Sequence, residues 1–160
     1  MTISTRTAST PAADHPADHR GVAVAEQHAV AQHDARVVLV FSNRSDVRDR
    51  IRQAIGVRPA KDLTITFVEA ATYDECIAIV DRMDVDLLVL DGEAQPGGGL
   101  GIARQLRDEL DVCPPICVVI ARAADRWLAA WAKVDATLVH PLDPMTTGRT
   151  VANMLRATPS

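Results

Sequence analysis

The feature that most constrains the fold of this chain is a regular alternation of short apolar runs with amphipathic stretches of helical period. The alternation repeats five times after about residue 35, and the apolar runs, which predict strands, occupy 37–41, 63–67, 86–90, 116–120 and 136–139. Strands that are separated by helices pair in parallel, because the helix carries the chain back to the start of the sheet. Continuous apolar runs are typical of strands that are covered on both faces. The sequence therefore predicts an α/β domain with a doubly wound parallel sheet.

Start signals precede three of the predicted helices. Ser45 is expected to cap the first helix, and Thr72 and Glu75 have the spacing of a capping box for the second. Asp143 is expected to cap the last helix, with Pro144 at its first position. These signals place the helices between the strands, as the alternation requires.

Residues 1–35 differ in composition from the rest of the chain. They are rich in Ala, Thr, Ser, Asp and His and contain no aromatic residue, so they offer little apolar surface to bury. We expect an N-terminal tail over 1–35, disordered alone or ordered against a partner, and a folded domain over 36–157. The tail contains four of the five histidines, at irregular spacing that argues against a metal site: His15, His19, His28 and His33.

The overall composition excludes several classes of protein. A net charge of −4 argues against a nucleic-acid-binding surface. No apolar run approaches the roughly 20 residues that a membrane span needs, and the N-terminus lacks the apolar core of a secretory signal. Three cysteines form an odd set, which suits reduced thiols in the cytoplasm. Cys113 and Cys117 alone do not make a closed zinc site, and a buried apolar role is expected for them.

Asp91 is the strongest candidate for a functional residue. It ends the third apolar run and is followed by Gly92. A carboxylate at the carboxyl end of a buried parallel strand lies where open α/β sheets bind their ligands. The ends of neighbouring strands are expected to surround it, and the residues there are Ser42, Asn43, Ile120 and His140.

Residues 36–157 resemble the receiver domain of two-component response regulators, the CheY-like family. The resemblance covers about three quarters of the chain and is carried by four segments in the right order: 36–52, 85–106, 115–121 and 138–144. It implies a five-stranded flavodoxin-like sheet in the order 2-1-3-4-5. It also implies that the surface made by the fourth helix, the fifth strand and the fifth helix docks partners.

In that family an aspartate receives a phosphoryl group from a histidine kinase with the help of Mg²⁺. The resemblance assigns the acceptor to Asp91, but the two acidic positions after strand one fall on Ser42 and Asn43. The hydroxyl after strand four falls on Ile120, or on Ala121 if the register slips by one, and the lysine after strand five falls on His140. We therefore interpret these five residues as a vestigial phospho-acceptor pocket, with no catalytic residue, metal or cofactor.

His140 leaves two alternatives open at this pocket. It is either a partly cationic partner of Asp91 or a neutral histidine that is satisfied locally, and the second is favoured. The resemblance also implies a cis bond between His140 and Pro141.

Trp127 and Trp131 lie four residues apart in a helix predicted over 125–133, so they share one face. They are candidates for binding a protein partner, because exposed tryptophans are typical interaction hot spots. The alternative is that one or both pack into the core.

A narrower resemblance is to orphan receiver-like proteins associated with proton-pumping NADH:quinone oxidoreductase, respiratory complex I. It is carried by Asp91-Gly92-Glu93, the segment 113–116, the Trp127–Trp131 helix and the segment 140–144. It implies an accessory subunit on the cytoplasmic arm of that complex, hence a cytoplasmic protein held near the inner face of the plasma membrane. No output domain is expected after Leu155.

Three functions are consistent with these residues and resemblances. The leading one is a non-catalytic pseudo-receiver that acts as a protein-interaction module or accessory subunit. The alternative is an orphan response regulator that is phosphorylated at Asp91. An enzyme of flavodoxin-like fold is disfavoured, because the glycine run at 97–99 lacks the Lys-Ser/Thr of a phosphate loop and no nucleophile–base pair is evident.

Overall fold

Five parallel strands form one sheet in the computed structural model, which describes residues 35–158. The strand order is β2-β1-β3-β4-β5, which confirms the predicted doubly wound topology. The strands are β1 (Ala35–Phe41), β2 (Thr64–Ala70), β3 (Leu87–Asp91), β4 (Ile116–Ile120) and β5 (Ala136–Val139). The helices between and after them are α1 (Ser45–Ile55), α2 (Tyr73–Arg82), α3 (Gly98–Glu109), α4 (Arg126–Trp131) and α5 (Pro144–Ala157), with a 3₁₀ turn at Ala123–Asp125 before α4.

Both faces of the sheet are covered, which explains the continuous apolar runs. Every residue of β3 and β4 is buried. One apolar cluster joins the sheet to α1 and α5, with Val47, Ile51 and Leu155 among its members. A second cluster joins the opposite face to α2 and α3, with Cys76 and Leu106 among its members.

The helix caps follow the sequence signals at two of the three places. The Thr72 hydroxyl accepts a hydrogen bond from the backbone N–H of Glu75 at 3.2 Å, and the Asp143 carboxylate accepts one from Thr146 at 2.7 Å. The prediction that Ser45 caps α1 is wrong: Arg44 occupies the cap position, and no side chain caps this helix. Ser45 is the first residue of the helix. Ser42, three residues earlier, accepts a hydrogen bond from the N–H of Arg44.

The ends of several elements differ from the predictions, and β2 runs on to Ala70 instead of ending at residue 67. Strand β1 begins at Ala35, one residue before the expected start of the domain. Helix α4 is shorter than the predicted 125–133 and ends at Trp131. Lys133 adopts a left-handed conformation with φ 57°, which turns the chain out of the helix towards β5.

The three cysteines are free thiols. Cys76 and Cys117 are fully buried, and this burial raises the pKa of each thiol to about 12. Cys113 is half-buried, and burial raises the pKa of its thiol as well. The apolar role expected for Cys117 is confirmed.

No helix within residues 35–158 is long and apolar enough to cross a membrane. The expected tail over 1–35 and its four histidines fall outside the described residues, apart from Ala35.

Candidate functional site: the Asp91 cleft

The carboxyl ends of β1 and β3 meet at one edge of the sheet because the two strands are neighbours. Their register pairs Phe41 with Leu90, so Ser42 and Asp91, the next residues, lie side by side. The β5–α5 loop, which begins at His140, closes the same edge and lines the same cleft. The strand order thus brings together residues that are about 50 positions apart in the chain.

Asp91 is buried, with 3% of its surface exposed, and both of its carboxylate oxygens are engaged. The Ser42 hydroxyl donates to Oδ2 at 2.7 Å, and the backbone N–H of Glu93 donates to Oδ1 at 2.9 Å. The same Ser42 oxygen accepts the N–H of Arg44 at 3.1 Å. Ser42 therefore connects the acceptor carboxylate to the first turn of α1.

Asn43 occupies the second position that the resemblance assigns to an acid. Its side chain is exposed, and its Oδ1 accepts the backbone N–H of Gln95 at 3.1 Å. This bond ties the β1–α1 loop to the β3–α3 loop, in which the Gln95–Pro96 bond is cis. Asn43 thus holds two loops together across the mouth of the site.

Two glycines allow the β3–α3 connection to lie close to the sheet. A Cβ on Gly92 would lie 2.8 Å from the carbonyl oxygen of Val119, and one on Gly99 would lie 2.4 Å from that of Asp91. These distances are too short for any other residue, so the start of α3 packs directly on the backbone of Asp91. The sequence indicated a turn at the glycine run, but not this contact.

An open cleft with a volume of about 630 Å³ lies above Asp91. Its walls carry two guanidinium groups, one imidazole and one further carboxylate: Arg44, Arg50, His140 and Glu93. Both arginines bind the carboxylate of Asp46, Arg44 at 2.8 Å. Sequence reasoning missed these two arginines, although Arg50 lies four residues after Asp46 on the helix and the pairing could have been inferred from that spacing.

His140 lines the cleft and is half-buried. Its imidazole forms no hydrogen bond or ion pair with any residue between 35 and 158, so neither pairing with Asp91 nor a local partner is seen. Its backbone N–H binds the carbonyl of Ile120 at 2.9 Å. The His140–Pro141 bond is cis, as expected.

Ile120 is placed differently from the other four residues of the predicted pocket. Its side chain is buried in the cluster on the α2 and α3 face of the sheet, and it does not line the cleft. The position therefore supplies core packing where the resemblance would place a hydroxyl.

The donor set does not fit the Mg²⁺ ion that the family implies. Mg²⁺ takes hard oxygen ligands, mostly carboxylates and water, and is bound best where negative charge is concentrated. Ser42 and Asn43 supply neutral oxygens that already take part in hydrogen bonds, and two guanidinium groups line the cleft beside the carboxylates of Asp91 and Glu93. Within residues 35–158 no group of three or more His, Cys, Asp or Glu side chains is arranged to hold a metal ion.

Trp127 and Trp131 lie on the surface of α4, with 67% and 57% of their surface exposed. The alternative that one or both pack into the core is therefore wrong; Ala129 and Ala132 make the buried contact. Arg104 of α3 lies over the ring of Trp131, with its guanidinium carbon 5.7 Å from the ring centroid, and donates to the carbonyl of Trp131 at 3.2 Å. This arrangement of two exposed tryptophans and one arginine is called the α4 face below.

Comparison with known proteins identifies relatives for about three quarters of the chain. It is 49% identical over 121 residues to an uncharacterized response regulatory protein of Mycobacterium tuberculosis, known from two strains, and the match covers 75% of this chain and 91% of that protein. No family model matches the chain.

Solved structures show the same fold. The receiver domain of the response regulator AraT from Geobacillus stearothermophilus has a TM-score of 0.60 at 23% identity and covers 76% of this chain and 94% of that one. The chemotaxis response regulator CheY4 of Vibrio cholerae has a TM-score of 0.62 at 16% identity, and the match covers 75% of this chain and 98% of that one.

Proposed function

The chain belongs to the response-regulator receiver family, and we propose that within this family it acts as a protein-interaction module without phosphoryl chemistry. Receiver domains are signalling modules that work by contact with other proteins. In this chain the receiver fold is retained as a rigid body, and its function is to dock as an accessory subunit in a larger complex.

The hydrogen bond between Ser42 and Asp91 is the observation that carries this proposal. The Ser42 hydroxyl stands where the family has a carboxylate, and it already donates to Oδ2 of the acceptor. Phosphoryl transfer to a carboxylate depends on cations that neutralise the charge developing on the phosphoryl oxygens. With no fitting Mg²⁺ site, the cleft lacks the usual source of that neutralisation.

Signalling by phosphorylation also requires that the two states of the protein make different contacts. The groups that would report a phosphoryl group in this family are a hydroxyl after β4 and a lysine after β5. Here Ile120 points into the core and His140 makes no polar side-chain contact within the described residues. The site therefore lacks both of the contacts that would distinguish a phosphorylated state.

We further propose respiratory complex I as the partner, on its cytoplasmic arm. The support is the resemblance of four segments to receiver-like proteins associated with that complex. The docking surface in this proposal is the α4 face, because exposed tryptophans with an adjacent arginine have the composition of interaction hot spots.

A second candidate function, phosphorylation at Asp91, is favoured by one observation. Arg44 and Arg50 line the cleft beside Asp91, and guanidinium groups pair well with phosphoryl oxygens. In that case the two arginines would take the place of the metal.

Phosphorylation with acetyl phosphate separates the two candidates. The full chain is incubated with acetyl phosphate, with and without Mg²⁺, and its intact mass is measured, with Asp91→Asn as the control. We expect no mass gain in either condition. A gain of one phosphoryl group that requires Asp91 would establish the second candidate, and independence from Mg²⁺ would assign the neutralising role to the arginines.

Affinity purification from the native organism tests the partner. We expect the tagged protein to retain subunits of the respiratory NADH dehydrogenase in fixed proportion, and the Trp127→Ala/Trp131→Ala variant to lose most of them, since hot-spot truncations each cost about 2 kcal/mol or more. Val112→Ala is the control, because Val112 is an apolar residue with 88% of its surface exposed that belongs to the α3–β4 loop and not to α4. Retention of the same subunits by the double variant would contradict a docking role for the α4 face.

A further inference from the structure

A second depression, of about 570 Å³, continues the Asp91 cleft along the surface of the molecule. The two share three lining residues, Gln53 and Ala54 of α1 and Pro144 of α5. Together they form one groove, called the α1–α5 groove below. It runs from Asp91 at the edge of the sheet to the carboxyl end of α1.

The floor of this groove is apolar. It is formed by the carboxyl end of α1, the loop after it and one face of α5, through Ile55, Pro59, Ala60, Gly148 and Ala152. The two floor residues of α5, Gly148 and Ala152, are four positions apart, so they lie on one side of the helix. Met145, with 74% of its surface exposed, extends this apolar strip at the amino end of α5.

The rim of the same stretch is cationic. Arg58, Arg149 and Arg156 line it, and no carboxylate does among the described residues. Arg156 is paired with Asp62 at 2.6 Å, whereas Arg58 and Arg149 form no ion pair within residues 35–158. At the Asp91 end of the groove, Arg44 and Arg50 share a single carboxylate, that of Asp46.

The chain as a whole has a net charge of −4, yet three arginines and, within residues 35–158, no carboxylate line this apolar stretch of the groove. The stretch lined by Arg58, Arg149 and Arg156 therefore attracts ligands of negative charge, and its apolar floor favours a ligand that also carries apolar side chains. The negative charge of the whole molecule disfavours a nucleic acid, which would bring many phosphates near its other faces.

We propose that the α1–α5 groove binds an acidic peptide segment of a protein partner, with its carboxylates on Arg58 and Arg149 and its apolar side chains on the floor. The proposal deepens the proposed interaction function, on which it rests, by giving the chemistry of one partner segment. The groove and the α4 face lie on different faces of the sheet, so the two surfaces are testable separately.

Fluorescence anisotropy with a defined probe tests this proposal. The probe is a short fluorescein-labelled peptide of alternating glutamate and leucine, titrated with the full chain at low and high salt. We expect saturable binding that weakens as salt screens the charges. Arg58→Glu/Arg149→Glu is expected to weaken it by about tenfold or more. Both side chains are exposed, so thermal unfolding of the variant should match that of the original chain.

The matched control is Arg82→Glu/Arg126→Glu, which changes the net charge equally at exposed positions away from the groove. It is expected to bind the probe within about twofold of the original chain. An equal loss in both variants would reduce the effect to net charge and overturn the proposal. A loss in the control alone would also overturn it, because it would place the site near Arg82 or Arg126.

Two further outcomes would also overturn it. Equal displacement of the probe by inorganic phosphate at the same charge concentration would indicate a simple anion site. Self-association in sedimentation equilibrium that is abolished by Arg58→Glu/Arg149→Glu would assign the groove to a second copy of this chain. Because the affinity purification reads the α4 face, failure of the peptide to bind leaves the outcome of that experiment intact.

Discussion

At the scale of single residues, the Ser42 hydroxyl organises the site. It is fully buried, donates to the Asp91 carboxylate and accepts the N–H that leads into α1. A carboxylate at this position would lie against a second buried carboxylate, and like charges at that distance repel unless a cation is bound between them. Serine removes that repulsion, so the pocket is satisfied by hydrogen bonds alone.

We predict that Ser42→Ala destabilises the domain by about 1–3 kcal/mol, because a buried carboxylate oxygen and the Arg44 N–H each lose a partner. Urea denaturation followed by far-UV circular dichroism measures the change. Ser45→Ala is the control: Ser45 is exposed and makes no cap hydrogen bond, so its effect should stay within about 0.5 kcal/mol. Equal effects of the two changes would show that the Ser42 bond contributes nothing.

At the scale of elements, the start of α3 positions Asp91 as much as β3 does. Gly99 lies in the first turn of α3, where its α-carbon approaches the backbone carbonyl of Asp91. The helix therefore begins directly on top of the strand end, and the Glu93 N–H between them donates to the carboxylate. A side chain at Gly99 would lift the helix from the strand and disturb the site.

We predict opposite effects for two alanine substitutions in α3. Gly99→Ala should destabilise by about 1–3 kcal/mol, because its Cβ would overlap the Asp91 carbonyl. Gly101→Ala should stabilise by about 0.5–1 kcal/mol, because nothing lies within 4 Å of its added methyl group and alanine favours the helix. Thermal denaturation of the two variants side by side distinguishes them, and a stabilised Gly99→Ala variant would contradict the close contact.

At the scale of the whole molecule, the described domain has its own complete core. Its two apolar clusters are built from residues between 38 and 155, on both faces of the sheet. Its stability should therefore depend little on residues 1–34, whose composition offers few apolar side chains.

Deleting residues 1–34 tests this. The deletion leaves β1 intact, since that strand begins at Ala35. We expect the melting temperature to change by less than about 3 °C, and retention in the partner complex to weaken, because a segment that orders on a partner contributes contacts there. A deletion that unfolds the domain would contradict the expected independence of the core, and one that leaves retention unchanged would contradict the expectation that this segment orders against a partner.

Local patterns in the sequence were enough to predict the strands, the helices and a doubly wound parallel sheet, whereas the strand order came from the family resemblance. The period of the apolar residues reports which side of an element is buried, and burial on both faces of a strand leaves the continuous runs seen at 87–90 and 116–120. The caps at Thr72 and Asp143 were predictable because they involve partners only three residues away. The cap of α1 was not, because the helix begins at Ser45 with Arg44 at the cap position, where no side chain forms a cap hydrogen bond.

The candidate site was only partly predictable, because its side chains come from elements that are far apart in the sequence. Alternation and the resemblance placed Asp91 at a strand end, and also placed Ser42 and His140 near it. That Ile120 turns into the core, that Trp127 and Trp131 face outward, and that Arg44 and Arg50 line the cleft depend on how distant elements pack. The sequence by itself determined the strands, the helices and their order, because these follow from short-range periodicity. Only the tertiary structure decided which charges share a cleft, because side chains from separate elements meet there only after the sheet has formed.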